Sequence, residues 1–505
     1  MSSDWYGQIL EVRLGPPGHG GFCVARHEGR VLFVRHGLPG ELVRARVTED
    51  RGGSFCRAEA LEILEPSPDR VPATCPVSGP GGAGCCDFTF ATPEAQRELK
   101  RQVVADQLRR LADWEPDFTV EPIPVPLGLP SSVVAQQNSH PAGRDDAMPA
   151  GSAPGRIGGV ATHLASSLIA RPGAEAAEVA VGSRVSAAGY TAGWRSRVRL
   201  AVDADGRAGV HRYRSTEVVA DLRCPQPMAG AMDGIAERMW TPGADLVVAV
   251  DGDGMRHIVE VAPAAAEDVG HRGRGQRGRG AGRERGRDSG GRGGDRRSTA
   301  ARRAAAHGVR EERVVEGTGR AVQYVAGRRW ELSATGFWQP HYGAAQCYSD
   351  VVAEWAEAAP GALAWDLYCG VGVFAARVAE QVGDGGAVHG VEFARSAVTE
   401  GRAALRDLPW VDLRAERVER WIVEQPSVAP DVVVLDPPRA GAGKDMINAL
   451  GERTPRRIIH IGCDPAAFAR DIGLYRAASY RPVELRVFDA FPGTHHVECI
   501  AALER

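Results

Sequence analysis

Lysine is nearly missing from this chain. Lys100 and Lys444 are the only two in 505 residues, so 59 of the 61 basic residues are Arg. With 62 Gly and abundant Ala, that bias reads as a coding bias rather than a binding device. Long apolar runs are lacking too. Nowhere do about 18 apolar residues follow one another, so no membrane span is expected. The opening MSSDWYGQILEVRL carries Asp4 and no apolar stretch, which argues against a secretory signal. Ten Cys are too few for a disulfide scaffold. A cytoplasmic placement follows, with thiols reduced, catalytic or metal-bound. Net charge is small, at −3, which alone argues against a nucleic-acid partner. The average hides a contrast. Residues 271–303 hold twelve Arg against Glu284, Asp288 and Asp295 (+9), which leaves −12 for the rest.

The length suggests about three domains. Residues 5–63 alternate apolar and polar positions through GQILEVRL, GRVLFVRH, ELVRARVTE and CRAEALEILE, the strands of a small barrel. The segment Pro93–Trp114 predicts a helix with Thr92 as N-cap and Val103, Val104, Leu108 and Leu111 on one face. Residues from about 123 to 188 are rich in Ala, Gly, Ser and Pro, without a period, and read as an insertion. The Arg-Gly tract lies in a second insertion, near 265–307. It is expected to be disordered, serving either as sequence-independent attraction for RNA or as a tolerated loop. After about residue 331, short apolar runs (ALAWDL, AVHGVE, DVVVLD, RIIHIG) alternate with helical stretches, as in a parallel doubly wound sheet. Pro482–Phe488 and His496–Leu503 read as an antiparallel pair at its edge.

In the turn YCGVGVF, Gly370 and Gly372 let backbone approach a ligand at a helix N-terminus. Glu392 ends the next strand, placed to accept hydrogen bonds from ribose hydroxyls. The turn lacks a third Gly of the dinucleotide fingerprint, so an adenosyl group fits better than NAD. Asp436, in DPPR, stands stiffened by two prolines at the carboxyl edge of the sheet. Cys463 ends a strand before a helix whose N-terminus should lower a thiol pKa. Alone, Cys463 would read as a buried structural thiol and Glu498 as a solvated strand residue.

The set FWQPH, DLYCGVGVF, GVE, VVLDPPRAGAGKD, IGCDPAAFARD and FPGTHHVECIAAL resembles the S-adenosylmethionine-dependent RNA uracil-5-methyltransferases. GRVLFVRHGLPGE with the later SPDRV resembles the TRAM domain, a small RNA-binding barrel. The resemblance implies an α/β protein in three parts. Residues 1–65 would form a TRAM (OB-like) barrel. Residues 66–330 would form a mixed α+β RNA-recognition region, with the helix 93–114 packing on the catalytic domain. Residues 331–505 would form a class I Rossmann-like methyltransferase domain. It also implies Cys463 as nucleophile toward C6 of uracil and Glu498 as the base that removes the C5 proton. Gln339 and Asp436 would line the junction of cofactor and uracil, and Tyr368 and Glu392 would contact the adenosyl group. The target is a uridine in rRNA or tRNA, large-subunit rRNA first, flipped out of its stack by an enzyme acting as a monomer.

Two departures from the family pattern matter. Its iron–sulfur members carry three clustered cysteines and a distant fourth, here Cys75, Cys85, Cys86 and Cys224. Ala83 stands where one is expected and Cys85 is adjacent to Cys86, so a [4Fe-4S] cluster and a degenerate remnant both stay open. Val373 and Arg417 also replace residues that often contact the cofactor. A cytosine-5 enzyme would place Cys beside the Pro of the Asp-Pro motif, and an amino-methylating enzyme an aromatic at Arg439. A non-catalytic TRAM RNA-binding protein would have no use for Cys463 with Glu498.

Overall fold

The computed structural model describes residues 4–124, 187–263, 310–425 and 428–505. The Arg-Gly tract and most of both insertions lie outside them. The alternating N-terminal segment folds into β1 (Ile9–Arg13), β2 (Pro17–Gly18), β3 (Phe22–His27), β4 (Arg30–Arg35), β5 (Leu42–Asp50) and β6 (Phe55–Glu65). Their order is β1-β5-β6-β4-β3-β2. Inward positions Val12, Leu32, Val34, Val43, Val47 and Ala58 fill one core, as the two-residue period requires. The strand β3 was not among the sequence-predicted runs.

Helix α1 (Pro93–Ala112) starts as expected: Thr92 accepts a hydrogen bond from the Ala95 N–H, and Pro93 occupies the first turn. Its buried face is rotated from the prediction, through Leu99, Lys100, Val104, Leu108 and Ala112, while Leu111 is 45% exposed. The cause is the close packing partner. A Cβ at Gly473 would stand 2.5 Å from the Leu111 carbonyl oxygen, so backbone rather than the Leu111 side chain makes that contact.

Next come β7 (Val120–Pro122), α2 (Ala187–Tyr190), β8 (Arg197–Val202), β9 (Ala208–His211), β10 (Val218–Val219), β11 (Asp245–Val250), β12 (Arg256–Val261) and β13 (Glu312–Glu316). Six of these strands form the central sheet, ordered β10-β9-β8-β11-β12-β13. The hairpin β14 (Arg320–Val325) and β15 (Arg328–Ser333) packs Val325, Trp330 and Leu332 into the core of the C-terminal sheet.

The C-terminal part runs α3 (Ala344–Ala356), β16 (Leu363–Leu367), α4 (Val373–Val382), β17 (Ala387–Glu392), α5 (Arg395–Ala404), β18 (Val411–Ala415) and α6 (Val418–Glu424). It continues through β19 (Val432–Leu435), α7 (Gly443–Arg453), β20 (Arg457–Gly462), α8 (Pro465–Ala477), β21 (Arg481–Asp489) and β22 (Glu498–Glu504). The sheet order is β18-β17-β16-β19-β20-β22-β21-β7. Strands β16 to β20 are mutually parallel, and β22 runs antiparallel between β20 and β21. The predicted β21–β22 pair forms, but β7 adds itself parallel to β21 and takes the edge.

The apolar runs lack alternation because both faces are covered. In β19, Val432 and Val434 pack toward α3, α4 and α5, whereas Val433 and Leu435 pack toward α1, α6, α7 and α8. Two helical layers thus sandwich the sheet, and its carboxyl edge is left as the place where loops converge.

Candidate active site and thiol cluster

The chain leaves β16 through a tight turn. Tyr368 (φ 63°), Gly370 (φ 55°) and Gly372 (φ 80°) all have left-handed backbone. At Gly372 a Cβ would come within 3.0 Å of Leu405, so glycine suits the position twice over. The Gly370 N–H donates to Glu392 at 3.2 Å, and the Ala394 N–H donates to its other oxygen at 2.8 Å. The turn and the end of β17 therefore form one cradle. Tyr368 is directed elsewhere: its hydroxyl donates to Glu419 at 3.1 Å. Gln339, half-buried between β15 and α3, makes no hydrogen bond among the described residues. Arg417 lies over the exposed Phe393 ring, 4.8 Å from its centroid.

Asp366, within β16, is a site residue that sequence reasoning passed over, although it opens the DLYCGVGVF motif. One carboxylate oxygen accepts the Ala375 N–H at 2.7 Å, and the other is buried without a partner. Burial, with the Asp436 and Glu392 charges, pushes its carboxyl up to about 8. Burial and Glu392 push Asp436 up to about 7. Burial and Asp436 also raise Glu498 well above the ordinary carboxylate range, with Arg439 opposing. Four carboxyl groups thus crowd one edge of the sheet, and the facing guanidinium is Arg439. Such a surplus suits a ligand that brings positive charge.

Cys463 and Glu498 meet by register. Gly462, the last residue of β20, pairs with Cys499 across the antiparallel β20–β22 ladder, so Cys463, one residue on, comes beside Glu498, whose charge acts on the thiol. Gly462 leaves room for Phe468, which a Cβ there would approach to 2.9 Å. The expected lowering of the thiol pKa does not occur. Burial, then Glu498 and Asp436, push Cys463 up to about 12, with Arg439 opposing. The N-terminus of α8 is already engaged, because Asp464 caps it by accepting the Ala467 N–H at 2.8 Å. His19, from the turn between β2 and β3, contacts Asp464 at 3.2 Å, so the barrel reaches the neighbour of Cys463. In the free protein, iodoacetamide labelling of Cys463 should rise about tenfold per pH unit from 7 to 9. A plateau below pH 9, read by peptide mass spectrometry, would contradict the raised thiol.

The four predicted cluster thiols also converge. Sulfur hydrogen bonds join Cys224 to Cys75, Cys75 to Cys86, and Cys86 to Cys85, the last at 3.8 Å. Bonds from Cys224 and Cys86 hold Cys75 down to about 3. Among the described residues, however, no group of three or more His, Cys, Asp or Glu is arranged to hold a single metal ion. The thiol loop continues into Asp87, whose carboxylate accepts from Arg35 of β4 (2.7 Å) and pairs with His495 (2.6 Å). The Asp87 and Phe88 N–H groups both donate to the Gly493 carbonyl, at 3.0 and 2.9 Å. Barrel, thiol loop and the approach to β22 are thereby tied together.

The doubly wound sheet thus carries a glycine cradle and an acidic carboxyl edge, and a small barrel adjoins it. Residues 6–61 match the TRAM domain, and residues 319–505 match the family described as tRNA (Uracil-5-)-methyltransferase. An uncharacterized RNA methyltransferase of Streptomyces avermitilis is 37% identical over 99% of this chain and 98% of its own. A 23S rRNA (uracil(1939)-C(5))-methyltransferase of Alkalilimnicola ehrlichii is 27% identical over 98% of this chain and 96% of its own. The fold is shared with the tRNA (uracil-54, C5)-methyltransferase of Pyrococcus abyssi, solved with S-adenosyl-L-homocysteine. That likeness has TM-score 0.59 and 18% identity, covering 98% of this chain and 100% of the other. The chain belongs to the RNA (uracil-5-)-methyltransferase family, whose members are S-adenosylmethionine-dependent enzymes. No helix among the described residues is long and apolar enough to cross a membrane.

Proposed function

We propose that this enzyme methylates C5 of one uridine in structured RNA, with large-subunit rRNA the first candidate. The observation that carries the reading is the register that sets Cys463 beside Glu498, with Asp436 near both. S-adenosylmethionine would be held by the cradle of Gly370, Gly372 and Glu392, with Gln339 and the ring of Tyr368 alongside, and would supply the electrophilic methyl group. The unpartnered Asp366 oxygen and the carboxyl surplus fit its cationic sulfonium and ammonium groups. C5 of uracil is a weak nucleophile until something adds at C6. The Cys463 thiol gives its proton to water and its sulfur bonds to C6; the enolate so formed would take the methyl group at C5, the methyl–sulfur bond breaking to release S-adenosylhomocysteine. Glu498 then takes the C5 proton, and the C6–sulfur bond breaks to restore the ring and the thiolate. A base held above the ordinary carboxylate range by burial suits that proton transfer.

Ribosomal RNA is favoured over tRNA on sequence identity, 27% to the Alkalilimnicola ehrlichii protein against 18% to the Pyrococcus abyssi one, each over 98% of this chain. The test supplies labelled S-adenosylmethionine with unmodified 23S rRNA and tRNA transcripts, followed by nucleoside analysis. Label in 5-methyluridine of the ribosomal transcript is expected. Label confined to tRNA would move the substrate, and label in cytidine or adenosine would sink the reaction.

For the thiols, the donor set of four cysteines fits a [4Fe-4S] cluster in chemistry, and Cys75, Cys85, Cys86 and Cys224 would hold it. The cluster enters none of the steps above. Protein purified without oxygen should contain about four iron and four sulfide per chain. Fully active, metal-free protein would show the thiols to be structural.

A further inference from the structure

A cavity of about 480 Å3 opens between the thiol loop and the central sheet, with Cys85 and Cys224 in its wall. It lies outside the methyl-transfer site, and its size is that of a small-ligand pocket. Leu200, buried in the central core, and the half-buried Val210, Leu222 and Met232 packed against that core give it an apolar floor. Arg195, Arg199, Arg212 and Arg214 ring it. The two acids in its walls are already engaged, Asp221 by Arg223 at 2.5 Å and Asp245 by Arg310 at 2.5 Å. Arg199 is exposed on β8 and has no ion-pair partner among the described residues. Arg212 pairs with Glu217 at 3.0 Å, so Arg195 and Arg199 are the wall guanidiniums that keep no carboxylate partner among the described residues.

Position narrows the occupant. Arg214 pairs with Glu49 of β5 at 2.9 Å. The Tyr213 ring, also in the wall, is fixed by Arg35 of β4, 3.6 Å from its centroid. The cavity thus sits on the seam where the barrel meets the central sheet. We infer that it receives one unpaired nucleotide of the RNA substrate, with its phosphate against the arginines and its base on the apolar floor. Arginine forks match phosphate oxygens, and apolar or aromatic surface holds an unstacked base without demanding a sequence. The inference rests on the RNA reading above and adds a second point of capture, away from the reacting uridine.

The experiment uses the full chain and the unmodified 23S rRNA transcript. Ultraviolet cross-linking and peptide mass spectrometry should place a nucleotide on Tyr213 or Met232. Because Arg199 is on the surface, Arg199→Ala should fold as the wild type does. That variant should raise KM for the transcript about tenfold, leave kcat within twofold, and lower the slope of log affinity against log salt by about one. A merely structural residue would not change that slope. Cross-links confined to the barrel and the catalytic domain, with KM and slope unmoved in Arg199→Ala, would overturn the inference. So would micromolar, Arg199-dependent binding of UMP or AMP alone, which would make the cavity a mononucleotide site, or of poly-glutamate, which would make it a peptide site. If the wild type forms no 5-methyluridine, the reaction reading fails while the cross-link map and the salt slope still judge the cavity.

Discussion

In a Cys463→Ala variant, transfer of label from S-adenosylmethionine to RNA should fall by at least about 10⁴-fold, the scale on which removing a covalent nucleophile acts. Binding of S-adenosyl-L-homocysteine by calorimetry should stay within a fewfold of wild type, because the Gly370–Glu392 cradle is untouched. Glu498→Gln should behave differently. The thiol can still add to C6 and the methyl group can still be transferred, but the C5 proton has no base to take it. Methylated RNA should then stay bonded to protein, visible as a band that survives denaturing electrophoresis and is missing from Cys463→Ala. Residual turnover above about 1% of wild type in Cys463→Ala would remove the covalent step from the mechanism. The raised thiol sharpens the point: the free protein keeps Cys463 protonated, so the thiolate has to be generated once substrate and cofactor rearrange the local charges.

The largest stability effect should come from Lys100, far from Cys463 in sequence. Its ammonium and the Asp489 carboxylate are fully buried and paired. It also donates to the Phe491 carbonyl at 3.2 Å, and Tyr190 donates to Asp489 at 2.6 Å. Burial pulls the lysine pKa down and the Asp489 charge opposes that pull. Lys100→Met leaves a buried carboxylate short of its cation, a change that costs about 3–5 kcal/mol. The urea midpoint should drop accordingly. Lys100→Met with Asp489→Leu should recover much of the loss, since removing both charges leaves no uncompensated ion. Because Asp489 ends β21 just before the loop leading to Glu498, the single variant should also lose activity at temperatures where it remains folded. An unchanged midpoint would mean that the pair contributes nothing.

What the sequence disclosed followed from periodicity and from motif. Runs such as DVVVLD announce a strand covered on both faces, and Thr92-Pro93 marks where α1 starts. The motifs placed Cys463, Asp436 and Glu392 at strand ends and Glu498 on a late strand. Long-range effects were not legible. Three residues, Val120–Pro122, carry no pattern of their own, and only the free edge of β21 makes them a strand. The face that α1 buries depends on how close Gly473 lets α8 come, which no helical wheel contains. The pKa of Cys463 depends first on burial and then on two carboxyl groups brought in from the end of β19 and from β22, and together these outweigh the local helix end. Asp366 hid within a motif whose glycines drew the attention.

One consequence concerns how the molecule can be watched. Of its two lysines, Lys100 is sealed inside and Lys444 stands exposed at the start of α7. An amine-reactive dye should therefore attach to the folded chain at Lys444 and the terminal amine, with no mutagenesis. The first of these stands a few residues beyond the DPPR turn, so one fluorophore would report each arrival and departure of RNA at the working edge of the sheet, molecule by molecule.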